Sequence, residues 1–251
     1  MFGFQYNTTK IEYNLMKSKR KTISISVDSK GNILVKAPLR LSDENVLELV
    51  KQKASWIEQK LRLVEETVGQ KQDRQYVNGE IFYYLGKEYI FQLIEDASRK
   101  KLTVNIYDEK LVVTMPTSKA GSINDDIVND GSINDGIIKV AITKWYKQMA
   151  KVKIVERVTH YESLFSEKRG SIIVKEQKKR WGSCSQDGTL RFNWRIIMAP
   201  EYIIDYIVVH EMSHLRYMNH AKEFWHQVER VLPDYKIRKE WLKKNGITLE
   251  L

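Results

Sequence analysis

The sequence predicts an α+β fold, in which a β-rich N-terminal half is followed by a C-terminal half built mainly from helices. Three observations lead to this fold class. Before residue 120, apolar and polar residues alternate in pairs of short segments joined by polar turns. Beyond residue 136, most apolar residues recur at helical spacing. Between the halves, residues 121–135 hold four Asp and no Lys or Arg. We therefore predict a hairpin-rich region over 1–120, an acidic solvated loop over 121–135 and a second region over 136–251.

Three β-hairpins and one helix are predicted in the N-terminal region. The hairpins follow from period-two alternation on either side of short polar turns. They comprise Thr22–Val27 with Ile33–Ala37, Ile81–Leu85 with Glu88–Leu93, and Leu102–Ile106 with Leu111–Met115. The helix is predicted from Ser42, a suitable N-cap followed by two acidic residues, to Val64, because apolar residues recur between them at helical spacing.

Four helices, one strand and one hairpin are predicted in the C-terminal region. The helices are expected at Ile137–Leu164 (with Val140 and Val152 among its apolar residues), from Pro200 onward, at Ala221–Val231 and at Ile237–Lys244. The strand is expected at Ser171–Val174, and the hairpin joins Lys178–Ser185 to Leu190–Trp194. Pro200 suits the first position of its helix, and Gly246 suits the C-terminal cap of the last one.

Composition and charge exclude several classes of protein. The chain of 251 residues contains one cysteine, which excludes a disulfide framework and an all-cysteine zinc site. No apolar run approaches the length of a membrane span, and the N-terminus lacks the pattern of a signal peptide. We therefore expect a cytoplasmic protein that does not engage a membrane. Its net charge of +10 suits an acidic partner without defining a binding site.

A dense histidine motif lies in the helix predicted after Pro200. His210 and His214 are four residues apart, so on a helix they lie on one face. Two imidazoles at this spacing can chelate one zinc ion. Glu211 projects beside the metal and can take a proton from water that the metal activates. The motif arises by chance in about one chain of this length in a hundred, so a metal site is the favoured interpretation.

A third ligand is expected from the segment that follows. The helix should end soon after His214, and Asn219 tolerates the left-handed conformation that closes a helix. The chain can then return His220 to the metal, which leaves a fourth position open for water, as in catalytic zinc sites. The main rival is Glu229, on the next predicted helix. A structural zinc is disfavoured, because such sites usually have four protein ligands and are richer in Cys.

A series of short motifs runs through the last third of the chain. They are Arg180-Trp181-Gly182-Ser183-Cys184-Ser185, Asn193-Trp194-Arg195, Ala199-Pro200, His210-Glu211-Met212-Ser213-His214, Asn219-His220, Phe224-Trp225 and Pro233-Asp234-Tyr235. This series resembles the YgjP-like metallopeptidase family. The segments Lys19–Ser24 and Ala54–Ile57 fit the same family, so the resemblance spans nearly the whole chain. The family looks like a relative of the SprT-like and WLM proteases within the zincin class.

The resemblance implies a zincin-like C-terminal half with an active-site helix and an edge strand. It implies a zinc metallopeptidase with one Zn²⁺ per chain, in which His210, His214 and His220 are the ligands and Glu211 is the general base. The ligand spacing matches the metzincin pattern, but Tyr217 stands where metzincins keep Gly.

Two further residues are candidates for contacts to the substrate or the transition state. In a zincin, the edge strand pairs with an extended substrate, and the strand around Lys178–Ser185, or its hairpin partner, is the candidate for this role. Arg180 would then stabilise a developing oxyanion; the alternative is that it pairs with a structural carboxylate. Tyr217 is a second candidate for transition-state stabilisation. Cys184 is expected to be a small buried residue.

The distribution of positive charge bears on the partner. Between Lys168 and Arg195, eight Lys or Arg stand against two acidic residues, a surplus that suits acidic substrates, nucleotide phosphates or nucleic acid. A solvated basic face explains the same surplus. Besides a peptidase acting on a peptide or protein, two alternatives therefore remain: a metal-dependent nucleotide phosphoanhydride hydrolase of the pyrophosphatase type, and a nucleic-acid-associated protease. No glycine-rich phosphate loop or base-reading motif supports either of them.

Overall fold

The structure, a computed structural model, describes residues 2–28, 31–68, 74–117, 131–177, 179–249 and 251. The chain forms two compact units, Met1–Asp73 and Arg74–Leu251. Sheets prevail in the N-terminal half and helices in the C-terminal half, which confirms the predicted α+β class. The boundary after Asp73 differs from the predicted division at 121–135. Of that predicted loop, residues 121–130 lie outside the described residues.

The first unit contains a four-stranded sheet and two helices. Its elements are β1 (Phe2–Tyr6), β2 (Thr9–Ser18), β3 (Ser24–Val27), β4 (Ile33–Pro38), α1 (Asp43–Lys51) and α2 (Ala54–Val68). The strand order is β1-β2-β4-β3, with two antiparallel hairpins whose inner strands β2 and β4 run parallel. The predicted hairpin β3-β4 is confirmed, whereas β1 and β2 were not predicted.

The single helix predicted over 42–64 is two helices in the structure. Ser42 caps the first as predicted, since its hydroxyl accepts a hydrogen bond from the Asn45 N–H at 3.3 Å. The chain leaves the α-helical pattern where the Lys53 N–H donates to the Val50 carbonyl in a tighter turn. No Gly or Pro marks this break, so hydrophobic spacing could not locate it.

The second unit begins with another four-stranded sheet and continues with a smaller sheet and long helices. Its elements are β5 (Ile81–Tyr84), β6 (Lys87–Glu95), β7 (Thr103–Tyr107), β8 (Lys110–Met115), α3 (Gly131–Glu162), β9 (Ile172–Lys175), β10 (Gly182–Cys184), β11 (Leu190–Asn193), α4 (Glu201–Ser213), α5 (Lys222–Val231) and α6 (Tyr235–Asn245). The larger sheet has the order β5-β6-β8-β7, and its inner strands β6 and β8 run parallel. The predicted hairpins β5-β6 and β7-β8 are confirmed.

Helix α3 begins earlier than predicted, so residues 131–135 of the predicted loop belong to a helix. It buries every fourth residue against the turn Trp194–Met198, α4 and β9. These residues are Ile138, Ile142, Tyr146, Ala150, Ile154 and Val158. Val140 and Val152 face outward instead and are 68% and 61% exposed. Although α3 is 32 residues long, neither it nor any other described helix is apolar enough to cross a membrane.

The smaller sheet and α4 hold most of the residues of the candidate site. The sheet has the order β10-β11-β9, so β10 is an edge strand. Its antiparallel pairing with β11 confirms the predicted hairpin, although Lys178, at the start of the predicted strand, lies outside the described residues. Helix α4 packs against β10 and also against α3, α5 and α6. The edge strand and the helix with the histidine motif are therefore direct neighbours.

Candidate metal centre

Helix α4 carries the histidine motif and is buried along most of its length. Pro200 is its N-cap, one residue before the predicted first helical position. Every residue of 203–209 is buried, because α4 is covered by the small sheet on one side and by helices on the others. This packing fixes the helix and therefore the position of the two groups near its C-terminal end, His210 and Glu211.

His210 and His214 lie together at this end of the helix, with ring centroids 5.0 Å apart. The helix ends at Ser213, so His214 is its C-cap, in agreement with the expected stop. The Nδ1 of His214 lies 2.8 Å from the main-chain carbonyl oxygen of Tyr217. Because a carbonyl only accepts hydrogen bonds, Nδ1 must carry the proton, and the lone pair of Nε2 is left for a metal.

His220 returns to the helix after a short excursion of the chain. Its Nε2 lies 3.1 Å from the Nε2 of His210. The left-handed conformation expected at Asn219 is not observed, since its φ is not positive. Instead, the side-chain oxygen of Asn219 accepts a hydrogen bond from the N–H of Ala221, the N-cap residue of α5, at 3.1 Å. A local hydrogen bond from side chain to backbone thus forms the turn where the sequence suggested a left-handed backbone.

The three histidines fit a metal ion. They offer ligand nitrogens that all lie within 4.8 Å of one another. A tetrahedral zinc ion with Zn–N bonds of about 2.0–2.1 Å needs nitrogens about 3.3 Å apart, and the His210–His220 separation is close to this value. The rival ligand Glu229 belongs to no such group in the described part of the chain. Its carboxylate lies 3.5 Å from the ammonium group of Lys236.

Aromatic rings enclose the three imidazoles. The Phe224 ring centroid lies 4.5 Å from that of His214, 4.7 Å from that of His220 and 4.9 Å from that of His210. Burial lowers the pKa of His210 to about 3, and the neighbouring histidines add to this effect. Burial also lowers the pKa of His220. The imidazoles of His210 and His220 are therefore neutral at ordinary pH, which is the form that binds a metal.

Glu211 is the buried carboxyl group of the site. It is only 4% exposed, and within the described part of the chain its Oε2 has no hydrogen-bond partner. Burial raises the pKa of Glu211 to about 8, although the nearby Arg180 acts in the opposite direction. A buried polar atom without a partner is costly. A buried carboxyl group with a perturbed pKa beside a cluster of imidazoles is typical of a functional site.

Gly182 on the edge strand allows this carboxyl group to lie where it does. A Cβ atom at residue 182 would be 2.6 Å from both Cγ and Oε1 of Glu211, closer than any real contact. The edge strand can therefore approach Glu211 only because residue 182 has no side chain. Sequence reasoning did not single out Gly182. A glycine inside a predicted strand is, however, a known sign of close approach by another group.

Arg180 and Tyr217, the two candidates for substrate contacts, are placed differently. Arg180 is exposed, lines the cavity above Glu211 and forms no ion pair with any described residue, so the alternative of a structural carboxylate is not observed. The Tyr217 side chain packs on the core with the Arg216 guanidinium 5.5 Å from its ring, and it does not line the cavity. Of Tyr217, only the main-chain carbonyl contributes to the site, because it accepts the hydrogen bond from His214.

A cavity of about 590 Å³ opens over the metal centre. It is lined by residues 180–184, by residues of α4 and by Lys239, Leu242 and Lys243 of α6. Cys184 lines this cavity, and burial raises the pKa of its thiol to about 11, so it is not a ready nucleophile. The contribution of α6 was not predicted. The only sequence sign is that its two lysines are four residues apart, on one face of a helix.

A family model for the YgjP-like metallopeptidase domain matches residues 21–245. The chain belongs to the YgjP-like metallopeptidase family. It is accordingly a peptidase-type hydrolase of a metal-dependent family, and the resemblance noted in the sequence is confirmed. Comparison with curated proteins gives no significant match.

Two solved structures are similar to part of this YgjP-like chain. One is the metallopeptidase zymogen abylysin of Pyrococcus abyssi, at 22% identity over 36% of this chain and 93% of that one, with a TM-score of 0.34. The other is the metallopeptidase zymogen jannalysin of Methanocaldococcus jannaschii, at 25% identity over 36% of this chain and 91% of that one, with a TM-score of 0.32. The family assignment rests on the family model.

Proposed function

We propose that the protein is a zinc-dependent metallopeptidase with a zincin-like catalytic half. In this proposal, His210, His214 and His220 hold one zinc ion per chain, and Glu211 is the general base. The observation that supports it most directly is the convergence of three imidazoles beside a buried carboxyl group, one oxygen of which has no hydrogen-bond partner among the described residues. A bound zinc ion supplies a Lewis acid that lowers the pKa of a water molecule and polarises the scissile carbonyl.

Glu211 performs the proton transfers in this mechanism. Its raised pKa places it near neutrality, where a carboxyl group both accepts and releases a proton readily. Its carboxylate takes the proton of the attacking water and then passes it to the nitrogen of the leaving amine. Gly182 leaves room for the carboxyl group, and the packing of α4 keeps it in place. Arg180, on the wall above, stabilises the negative charge that develops on the carbonyl oxygen.

The edge strand β10 is the proposed track for an extended substrate. The Trp181 carbonyl accepts a hydrogen bond from the Asn193 N–H at 2.8 Å, and the Ser185 N–H donates to Thr189 at 3.1 Å. Because hydrogen bonds alternate along an antiparallel strand, the backbone polar groups of the intervening even-numbered residues face the free edge. A peptide in the cavity can pair with these groups as an added strand.

The test combines metal analysis with peptide hydrolysis. Wild type, purified without added metal, is expected to carry about one zinc ion per chain, and His220→Ala should lose or weaken it. His226→Ala is the matched control, because His226 is an exposed histidine on α5 outside the cluster. Zinc retained by His220→Ala would move the third ligand to Glu229 or elsewhere. Absence of stoichiometric zinc in wild type after zinc is offered would contradict the proposal.

A further inference from the structure

Three cationic side chains surround the cavity over the metal centre, and we refer to them as the cationic rim. Arg180 lies just before the edge strand, and Lys239 and Lys243 lie on α6. The two lysines lie four residues apart on α6 and therefore share one face of the helix. Of the described residues that line the cavity, Glu211 is the one acidic side chain, and it is buried in the floor.

Most of the positive charge of the cationic rim has no acidic partner. Arg180 and Lys239 form no ion pair with any described residue. The Lys239 ammonium lies 4.2 Å from the centroid of the Trp225 ring instead. Lys243 meets Glu240 at 3.0 Å, but their side chains are 65% and 67% exposed, so solvent screens this pair strongly.

A lysine of the same helix that lies away from the cavity behaves differently. Lys236 is 3.5 Å from Glu229 and does not line the cavity. The helix therefore has an ion-paired lysine outside the cavity and an unpaired one, Lys239, at its wall. Charge of one sign along a concave surface raises the local concentration of ligands of the opposite sign.

Lys239 lies close to the histidine cluster. The Trp225 ring that its ammonium group contacts lies 5.7 Å from the His220 ring, measured between centroids. A substrate carboxylate that pairs with Lys239 is therefore held near the three histidines.

We propose that the cationic rim selects peptides that carry Asp or Glu side chains next to the scissile bond. The inference rests on the proposed peptidase function and names its substrate class. Arg180, just before the edge strand, and Lys239, on α6, receive these carboxylates, and Lys243 lies one helical turn beyond Lys239. The ligand is a peptide because the family is a peptidase family and the edge strand next to the rim offers unpaired backbone groups.

The experiment compares three fluorogenic peptides that differ only in the residues flanking the scissile bond, which are Glu, Gln or Lys. For the zinc-loaded wild type, kcat/KM is expected to be about fivefold higher for the Glu peptide than for the Gln peptide, the effect of a partly exposed charge pair. The Lys peptide should be the poorest substrate. The preference should shrink as salt is raised, because salt screens exposed charges.

Variants assign the preference to particular residues. Lys239→Gln should lower the ratio of the Glu and Gln rates, because Arg180 remains as the one unpaired rim cation, and Lys239→Arg should restore it. Lys236→Gln is the matched control, because it removes the same charge from the same helix outside the cavity. Its ratio should equal that of wild type. A preference that persists in the double variant Arg180→Gln, Lys239→Gln would overturn the assignment.

The outcomes separate this inference from the proposed function. Equal cleavage of the Glu and Gln peptides by wild type overturns the substrate class while the metallopeptidase proposal stands. Failure to cleave any peptide, with zinc bound at one per chain, overturns both. Competition by a single-stranded oligonucleotide without any Glu preference would assign the rim to phosphates, and the inference would then be wrong.

Discussion

The two four-stranded sheets of this protein have the same topology but pack against different elements. In each, two antiparallel hairpins lie side by side, and their second strands pair in parallel at the centre. The correspondence extends to single residues. Val35 lies opposite Leu15 and Ile25 in the first sheet, and Val113 lies opposite Leu93 and Val104 in the second.

The difference lies in what covers each sheet. The first sheet packs with its own two helices in a core that includes Ile11, Val46 and Ile57. The inner face of the second sheet belongs to the same core as α3 and α4. In the part of the chain that the structure describes, the one group of side chains able to hold a metal lies in this second unit. The same topology thus forms a core of its own in the first unit and shares its core with the helix of the histidine motif in the second.

The largest effect is expected from Glu211→Gln. Removal of a general base should lower kcat by at least about a hundredfold, while the zinc content remains that of wild type because Glu211 is not a ligand in the proposal. Elemental analysis and steady-state kinetics on the same preparation check both statements. Turnover that survives with zinc bound would contradict the assigned role.

A smaller but still large loss of activity is expected from Gly182→Ala. The new Cβ would occupy the space of the Glu211 carboxyl group, so either that group or the edge strand must shift. We expect a loss of about tenfold or more in kcat, since a displacement of about 1 Å at a catalytic group has effects of this size. The matched control is Gly136→Ala in α3, where a Cβ meets no atom within 4 Å. Unchanged kinetics in Gly182→Ala would show that the close approach is unimportant.

Val35 and Val113, which occupy equivalent positions in the two sheets, allow a test of whether the stability of one unit depends on the other. Val35→Ala and Val113→Ala each remove buried methyl groups and should each cost about 2 kcal/mol of stability. Hydrogen exchange read by mass spectrometry should place the loss of protection in the first unit for Val35→Ala and in the second unit for Val113→Ala. Zinc affinity should fall only in the second variant. Equal losses of zinc affinity would mean that the two units are coupled.

The smallest expected effect is a pH dependence of the metal-free protein. The pKa of Glu211 is about 8 in the fold, above its ordinary value, so the stabilisation by its neutral form is lost as pH rises toward 8. The lowered pKa of His210 affects stability only below pH 6.5, the ordinary pKa of a histidine. Between pH 6.5 and 8, the Glu211 effect therefore dominates. The melting temperature should fall over this range in wild type and stay level in Glu211→Gln.

The parts of the site that sequence reasoning found are those determined by local spacing. The four-residue interval between His210 and His214 places both on one face of any helix, and the return of His220 needed only a short connection. Gly182 and Lys239 were missed as contributors, because their roles depend on how a strand and a later helix pack against α4. No local pattern specifies such distant approaches.

In the fold, too, contacts between distant parts of the chain could not be predicted from local patterns. Hairpins with polar turns were predicted, but β1 and β2 join at Asn7 and Thr8, and Asn7 supplies the positive φ without a glycine. The parallel pairing of β2 with β4 joins residues far apart in sequence, so period-two alternation could not reveal it. The repeated topology became visible only once both pairings were known.

The hydrogen bond from His214 to the carbonyl of Tyr217 has an evolutionary consequence. The group that orients this imidazole belongs to the main chain, so every amino acid at position 217 can provide it as long as the turn keeps its shape. The side chain there is released from the chemistry and is open to drift. A tyrosine can therefore occupy position 217 without any contribution of its ring to the support of His214.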